Sequence, residues 1–158
     1  MKEIKEKLKY DLVEHKKIEG VSCDIVDIEE FVEITNKYIS DMKSILLRKT
    51  NNVGLAAPQI GINKRFVLFK ENEEFILVFN PEYYPSTGKK IRSHEGCLSY
   101  PDKTNYVARW SRVNVKYFIY EGGELKQKIK SLNGIKSIVW QHEIDHLDGI
   151  TIFYDGKK

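Results

Sequence analysis

No run in the 158 residues approaches the ~20 consecutive apolar positions that span a bilayer, so a transmembrane helix is excluded. Cysteine is scarce. Cys23 and Cys97 are the only two, which rules out a disulfide framework and leaves one bridge at most. Met1 to Lys9 alternates lysine with glutamate and lacks the apolar stretch of a secretory signal, so reduced thiols and a cytoplasmic location are expected. An excess of one charge is also missing. The net charge is +3 and the lysines are interleaved with acids along most of the chain, which argues against direct nucleic-acid binding and gives no sign of a membrane surface. There are no internal repeats and no low-complexity segment. With 41% apolar and 31% charged residues, the chain is expected to form a single globular domain spanning 1–158, and a monomer.

What is present centres on Gln141-His142-Glu143-Ile144-Asp145-His146-Leu147-Asp148-Gly149. Histidines four residues apart lie one above the other on a helix face, so both imidazoles can reach one cation. Glu143 is offset by about a third of a turn, where a carboxylate can act as base on a water without itself binding the metal. An exposed helix with two chance histidines is the alternative, and its surroundings argue against it. Asn133 suits an N-cap, and Leu132, Ile135, Val139, His142 and His146 follow helical steps. Ile138, Trp140, Ile144 and Leu147 occupy the rest of the circumference, so the helix should be buried on most sides, with Gly149 at its left-handed end.

Upstream, residues 1–20 are charged with scattered apolar positions (Ile4, Leu8, Leu12) and weakly helical, and His15 reads as a solvated side chain. From Glu29 to about Arg48, Phe31, Ile34, Tyr38, Met42 and Ile45 or Leu46 recur at helical spacing, predicting an amphipathic helix over a core. Arg65–Phe69 and Phe75–Phe79 predict one hairpin, its second strand ended by Asn80-Pro81. Val113–Tyr120 and Leu125–Ile129, joined through Gly122-Gly123, predict another. A helix, then antiparallel strands, then a buried metal helix gives an α+β fold.

Two histidines do not complete a site, since a catalytic zinc-type centre takes three protein ligands and a structural one four. Cys97, in Glu95-Gly96-Cys97-Leu98-Ser99, is the preferred third ligand, because a thiolate lowers the site's positive charge and leaves a position for water; His94 competes for the role. Asn51 to Gly61 is small and glycine-bearing, without helix or strand period, and reads as a packed turn whose polar donor is Gln59.

Together, Gly54-Leu55-Ala56-Ala57-Pro58-Gln59, Glu95-Gly96-Cys97-Leu98-Ser99 and His142-Glu143-Ile144-Asp145-His146 resemble the three motifs of the peptide deformylase family, in order and approximate spacing, over about residues 50–155. The resemblance implies metal ligands Cys97, His142 and His146, with Glu143 as base and acid. It implies that Gln59 and the Leu98 backbone N–H polarise the formyl oxygen, and that Val53 and Gly54, with Glu95 and Gly96, bind the peptide. The expected substrate is an N-formylmethionyl peptide, with formate released and transient contact with the ribosome. Ile135 and Ile138, two turns and one turn before His142, are expected to line the methionine pocket. The cofactor is one divalent ion: Fe2+ by preference, with Zn2+, Ni2+ or Co2+ accepted by the same ligands. The chain departs from the family at Asn52, where a glycine is usual, at His94, where an acid is common, and at Thr104, where a basic residue is frequent, with Lys103 beside it. It is similar to the short forms, phage-encoded ones included, that lack a long C-terminal helix. A metalloprotease, or a structural zinc module closed by His94, are the competing readings.

Overall fold

The computed structural model describes residues 8–86 and 88–155, so the expectation for Ile4 lies outside the described residues. Helix α1, Phe31–Leu46, follows its apolar spacing and buries Phe31, Ile34, Ile39, Met42, Ile45 and Leu46. Just before it, the Glu30 carboxylate accepts the Asp27 N–H at 3.0 Å and ties down the entering turn. Among the described residues before 20, the expected helical tendency reduces to one short 3-10 turn, His15–Lys17.

Strands β1 (Gly54–Ala56), β2 (Phe66–Glu71), β3 (Glu74–Pro85), β6 (Arg112–Glu121) and β7 (Glu124–Asn133) form an antiparallel sheet in the order β1-β2-β3-β6-β7. Strands β4 (Lys90–Cys97) and β5 (Tyr100–Trp110) pair separately. Helix α2, Gly134–Leu147, follows β7. The larger sheet is covered on both faces. Phe66, Leu68 and Phe79 meet Phe31, Ile34 and Met42 on one side. Val67, Phe69, Val78, Val115 and Tyr117 meet Trp140, Ile144 and Leu147 on the other, with Phe69 and Trp140 stacked at 4.2 Å. Alternate residues of one strand therefore feed two different cores, which is why β2 reads as a continuous apolar run.

Both expected hairpins form. Asn72-Glu73 (φ 49 and 66) and Gly122-Gly123 (φ 61 and 79) take the two left-handed positions that two-residue turns require. Two expectations are corrected, and one strand pairing appears that none of them covers. Asn80-Pro81 does not end β3, because the strand continues to Pro85 through a register shift between Phe79 and Glu82. Asn80 takes a left-handed backbone (φ 50), and its amide accepts the Val26 N–H at 2.8 Å and donates to the Val26 carbonyl at 3.0 Å, so the proline sits at a bulge where no ladder donor is needed. Asn51 to Gly61 is not only a turn. It contains β1, paired to β2, and a 3-10 turn over Ala57–Ile60 closed by Gly61 at φ 83. The pairing of β4 with β5 was not expected at all, since β4 turns a polar residue, Glu95, inward and charged ones outward and so hides its alternation.

Helix α2 is buried on most sides, as its sequence demands. Asn133 precedes it in extended conformation, though its side chain makes no capping bond. Gly149 is left-handed (φ 76), and a Cβ there would lie 2.5 Å from the Val21 nitrogen, because the N-terminal segment crosses the end of α2. Gly20 N–H donates to the Gly149 carbonyl at 2.9 Å, and Cys23 N–H to that of Leu147 at 2.8 Å. Cys23 and Cys97 are both free thiols. Among the described residues, no helix is long and apolar enough to cross a membrane.

Candidate metal centre

The helical step of four residues sets the His142 and His146 rings 4.8 Å apart at 81°. Cys97 arrives from the end of β4, where the register slips between Gly96 and Cys97 and the chain turns through Leu98-Ser99 into β5. Its Sγ lies 3.6 Å from His146 Nε2, and one ligand atom from each of Cys97, His142 and His146 falls within 4.8 Å of the other two. His94 is elsewhere. It is exposed, its Nε2 pairs with Thr104 Oγ1 at 2.8 Å, and its ring stacks on Tyr106.

The histidines are held from behind. Glu95 Oε1 lies 2.8 Å from His142 Nδ1, and because an ionised carboxylate only accepts, the ring proton belongs on Nδ1 and the Nε2 lone pair is left for a ligand. Arg109 donates two bonds to Glu95, at 2.8 and 2.7 Å, and a third to Asp145 Oδ2 at 2.7 Å. Tyr83 donates to Asp145 Oδ1 at 2.6 Å. Burial alone would raise the Glu95 pKa, but the bonds from Arg109 and His142 hold it down at about 2.

The charge balance fits a cation. Burial should raise the Cys97 thiol, yet hydrogen bonds from His142 and His146 lower it to about 6. Burial should lower the His142 pKa, yet bonds to Cys97 and Glu95 push it up to about 10, and His146 is raised for like reasons. Thiolate and carboxylates thus hold extra protons on the imidazoles, and a divalent ion bound by one thiolate and two imidazoles would take their place.

Glu143 is buried beside this cluster, its Oε1 3.1 Å from His146 Nδ1, and its pKa is lowered by His146 and His142 against the cost of burial. It lies directly on the β1 backbone. A Cβ built on Gly54 would be 2.7 Å from Glu143 Cγ and 2.9 Å from Oε2, so any side chain there would displace the Glu143 carboxylate. Gln59 is fixed at both ends of its amide: Oε1 accepts the Ala56 N–H at 2.8 Å, and Nε2 donates to Ser99 Oγ at 3.0 Å and lies 3.8 Å from Cys97 Sγ. In front lies a groove of about 560 Å³, lined by Val53, Gly54, Cys97, Leu98, His142 and Glu143 among others.

The polypeptide deformylase family model matches residues 12–157. The chain belongs to the peptide deformylase family. A peptide deformylase of Halothermothrix orenii is 39% identical over 127 residues, covering 78% of this chain and 79% of that one. One of Desulforudis audaxviator is 41% identical over 110 residues, covering 69% of each. The crystal structure of peptide deformylase from Thermotoga maritima superposes with a TM-score of 0.80 at 30% identity, covering 93% of this chain and 97% of that one. Neither the metalloprotease reading nor the closed structural zinc module is supported by these relatives.

Of the residues that the sequence singles out, Val53, Gly54, Gly96, Cys97, Leu98, His142 and Glu143 line the groove, while Gln59 sits behind Cys97. His146 is fully buried beneath them. Glu95 is turned inward to Arg109 and His142 rather than onto the groove. Ile138 borders a smaller hollow of about 150 Å³ that also touches Val53, His142 and Glu143. Ile135 does not reach it. It is 80% exposed and borders a neighbouring hollow with Phe69 and Trp140. Sequence reasoning missed Arg109, Asp145 and Tyr83. Asp145 stood inside the histidine motif, and a buried carboxylate there signals a buried cation elsewhere in the chain.

Proposed function

We propose that this family member, as a single catalytic domain, hydrolyses the formamide of N-formylmethionyl peptides, with Glu143, Gln59 and Leu98 as its catalytic groups. The reading rests chiefly on one observation: the thiolate and two imidazoles converge beside a buried carboxylate at the floor of an open groove. Cys97, His142 and His146 would hold a divalent cation, which supplies Lewis acidity toward water and the formyl oxygen. Glu143 accepts a proton from the attacking water and returns it to the leaving amine, so the C–N bond breaks to formate and a free N-terminus. Gln59 Nε2 and the Leu98 N–H donate to the formyl oxygen as it gains charge. β1 is the end strand of the five-stranded sheet, which supports a role for the outer edge of Val53 and Gly54 in pairing with an extended peptide beside Gly96. Ile138 is the better candidate for contact with the methionine side chain, and Ile135 for the outer wall.

The native ion in this proposal is Fe2+, with Zn2+, Ni2+ and Co2+ as substitutes, and the protein acts as a cytoplasmic monomer in transient contact with the ribosome. The test follows formate release from formyl-Met-peptides by one apo preparation loaded with iron, nickel or zinc, with and without oxygen. Hydrolysis by all three forms, with the iron form alone decaying in air and oxygen added at Cys97, is expected. Absence of formate release from every loaded form would overturn the assignment.

A further inference from the structure

A register shift in β3 decides which side chain reaches the back of the metal centre. Phe79 pairs with Phe118 and Glu82 with Lys116, so two residues of β3, Asn80 and Pro81, stand opposite one of β6, Tyr117. Before the bulge, Ile76 and Val78 face the core under α2; after it, Tyr83 takes that side, packed in the same core as Val113 and Val115. Unbroken alternation would have put Tyr84 there and turned Tyr83 to the opposite face. The extra residue reverses the phase, as bulges beside functional sites do. Tyr84 is instead 53% exposed and donates to Glu82 Oε2 at 2.7 Å.

The re-aimed hydroxyl meets α2. Tyr83 Oη donates to Asp145 Oδ1 at 2.6 Å, and Arg109 Nη1 donates to the other oxygen, Oδ2, at 2.7 Å. The rest of the guanidinium is engaged by Glu95, whose Oε1 is shared between Arg109 Nη2 at 2.7 Å and His142 Nδ1 at 2.8 Å. Asp145, Arg109 and Glu95 are all buried, and together they join Tyr83 to the His142 ring. Without the phenol, Asp145 Oδ1 becomes a buried acceptor with no partner, and turning onto Arg109 is its remedy. The guanidinium is a flat, rigid fork, so a carboxylate that pulls on Nη1 tilts Nε and Nη2 away from Glu95. The shared oxygen then moves, and His142 Nδ1 follows it. Tyr83 lines neither the groove nor the hollow beside Ile138, so its route to the site runs through these bonds.

We propose that Tyr83 is a positioning residue for the cation site: by filling the second oxygen of Asp145 it holds Arg109 on Glu95, and so sets the direction of the His142 Nε2 lone pair. This role rests on the reading of Cys97, His142 and His146 as cation ligands, whatever the substrate.

The test is zinc affinity of the full chain, by competition with a chromophoric chelator, for wild type, Tyr83→Phe, Glu95→Gln and the double variant. A direct partner of a ligating histidine typically contributes about 10–100-fold, and Tyr83, which stands behind Glu95, should contribute about 3–10-fold. Coupling separates positioning from mere packing. Tyr83→Phe should weaken zinc binding on its own yet add less than about twofold in the Glu95→Gln background, because both changes act through one carboxylate. Val115→Ala, which loosens the core opposite Tyr83 without removing any of these bonds, should lower the melting temperature and keep the wild-type affinity. Tyr84→Phe should change neither. The proposal is overturned if Tyr83→Phe binds zinc as wild type does, if its loss is undiminished in the Glu95→Gln background, or if Val115→Ala weakens binding as much. The expected affinities without formate release would sink the proposed reaction and leave the positioning role standing, whereas a wild-type chain that binds no zinc would sink both.

Discussion

Arg109 and Glu95 meet through two parallel hydrogen bonds, Nε to Oε2 at 2.8 Å and Nη2 to Oε1 at 2.7 Å, in a region closed to water. The same Oε1 takes His142 Nδ1, so one carboxylate joins the buried Arg109 cation to the Cys97–His142–His146 cluster. Replacing Arg109 with methionine would strand Glu95 and Asp145 without their counter-charge. Removing one partner of a buried pair typically costs about 3–5 kcal/mol, and a fall in melting temperature of roughly 6–20 °C should follow for a chain of this size. Glu95→Gln is expected to be milder for folding and to lower metal affinity by about 10–100-fold, as losses behind a ligating histidine do. Calorimetry and a chelator competition measure the two effects, and an unchanged affinity in Glu95→Gln would show that His142 is oriented by something else.

Glu143→Gln should retain metal and lose activity by about 10²–10⁴-fold, because the amide cannot take a proton. Metal content by elemental analysis, read beside formate release, separates the base from a ligand. Near-wild-type turnover would remove Glu143 from the mechanism.

Gly54→Ala should fold and bind metal but turn over slowly. The added Cβ would sit 2.7 Å from Glu143 Cγ, so the carboxylate must move by several tenths of an ångström. Misplacement of about 1 Å can cost about 10²-fold, and the loss should appear in kcat rather than in metal content. Normal kcat would mean that Glu143 reaches its working position from elsewhere.

The two cysteines should differ in alkylation. Burial pushes the Cys23 thiol up to about 11, whereas the paired imidazoles bring Cys97 down to about 6 despite its burial. The thiolate is the reactive form. In apoprotein at pH 7, iodoacetamide should therefore label Cys97 and spare Cys23, and the Cys97 rate should fall as pH drops through about 6. Added zinc should protect Cys97, and Cys97→Ala should lose metal where Cys23→Ala does not. Peptide mass spectrometry reads all of this. Labelling that metal does not suppress would exclude Cys97 as a ligand.

The helix-borne half of the site was legible in the sequence because a four-residue spacing becomes a fixed geometry as soon as a helix forms, and the apolar steps around His142 left little doubt of the helix. The strands of the large sheet were legible where β-rich runs flank a turn, as around Gly122-Gly123. Strand β4 was not, because its inward side carries Glu95 for Arg109, and a polar residue facing inward breaks the alternation on which such readings depend. Asn80-Pro81 misled for a related reason. A bulge needs the same residues as a strand end, and only the distant Val26 backbone, which holds the Asn80 amide, decides between them. The Ile135 expectation placed the residue by counting turns, without the departure of the first turn of α2 toward solvent.

The segment around Gly20 and Cys23 closes on the end of α2, and Tyr100 on β5 donates a short hydrogen bond to Glu19 from the same segment. The Gly20 and Cys23 contacts join an early stretch of chain to the end of the last helix, the costliest kind of pairing for a folding polypeptide to reach. On a translating ribosome, emerging at about 5–20 residues per second, the early segment has nothing to close on until α2 has left the exit tunnel. Cys97 must likewise wait for its two histidines. A chain still being made would therefore lack the full set of proposed cation ligands, and an ion held by them could be captured only after every strand has been synthesised, so that metal supply and completion of the fold would become one late event.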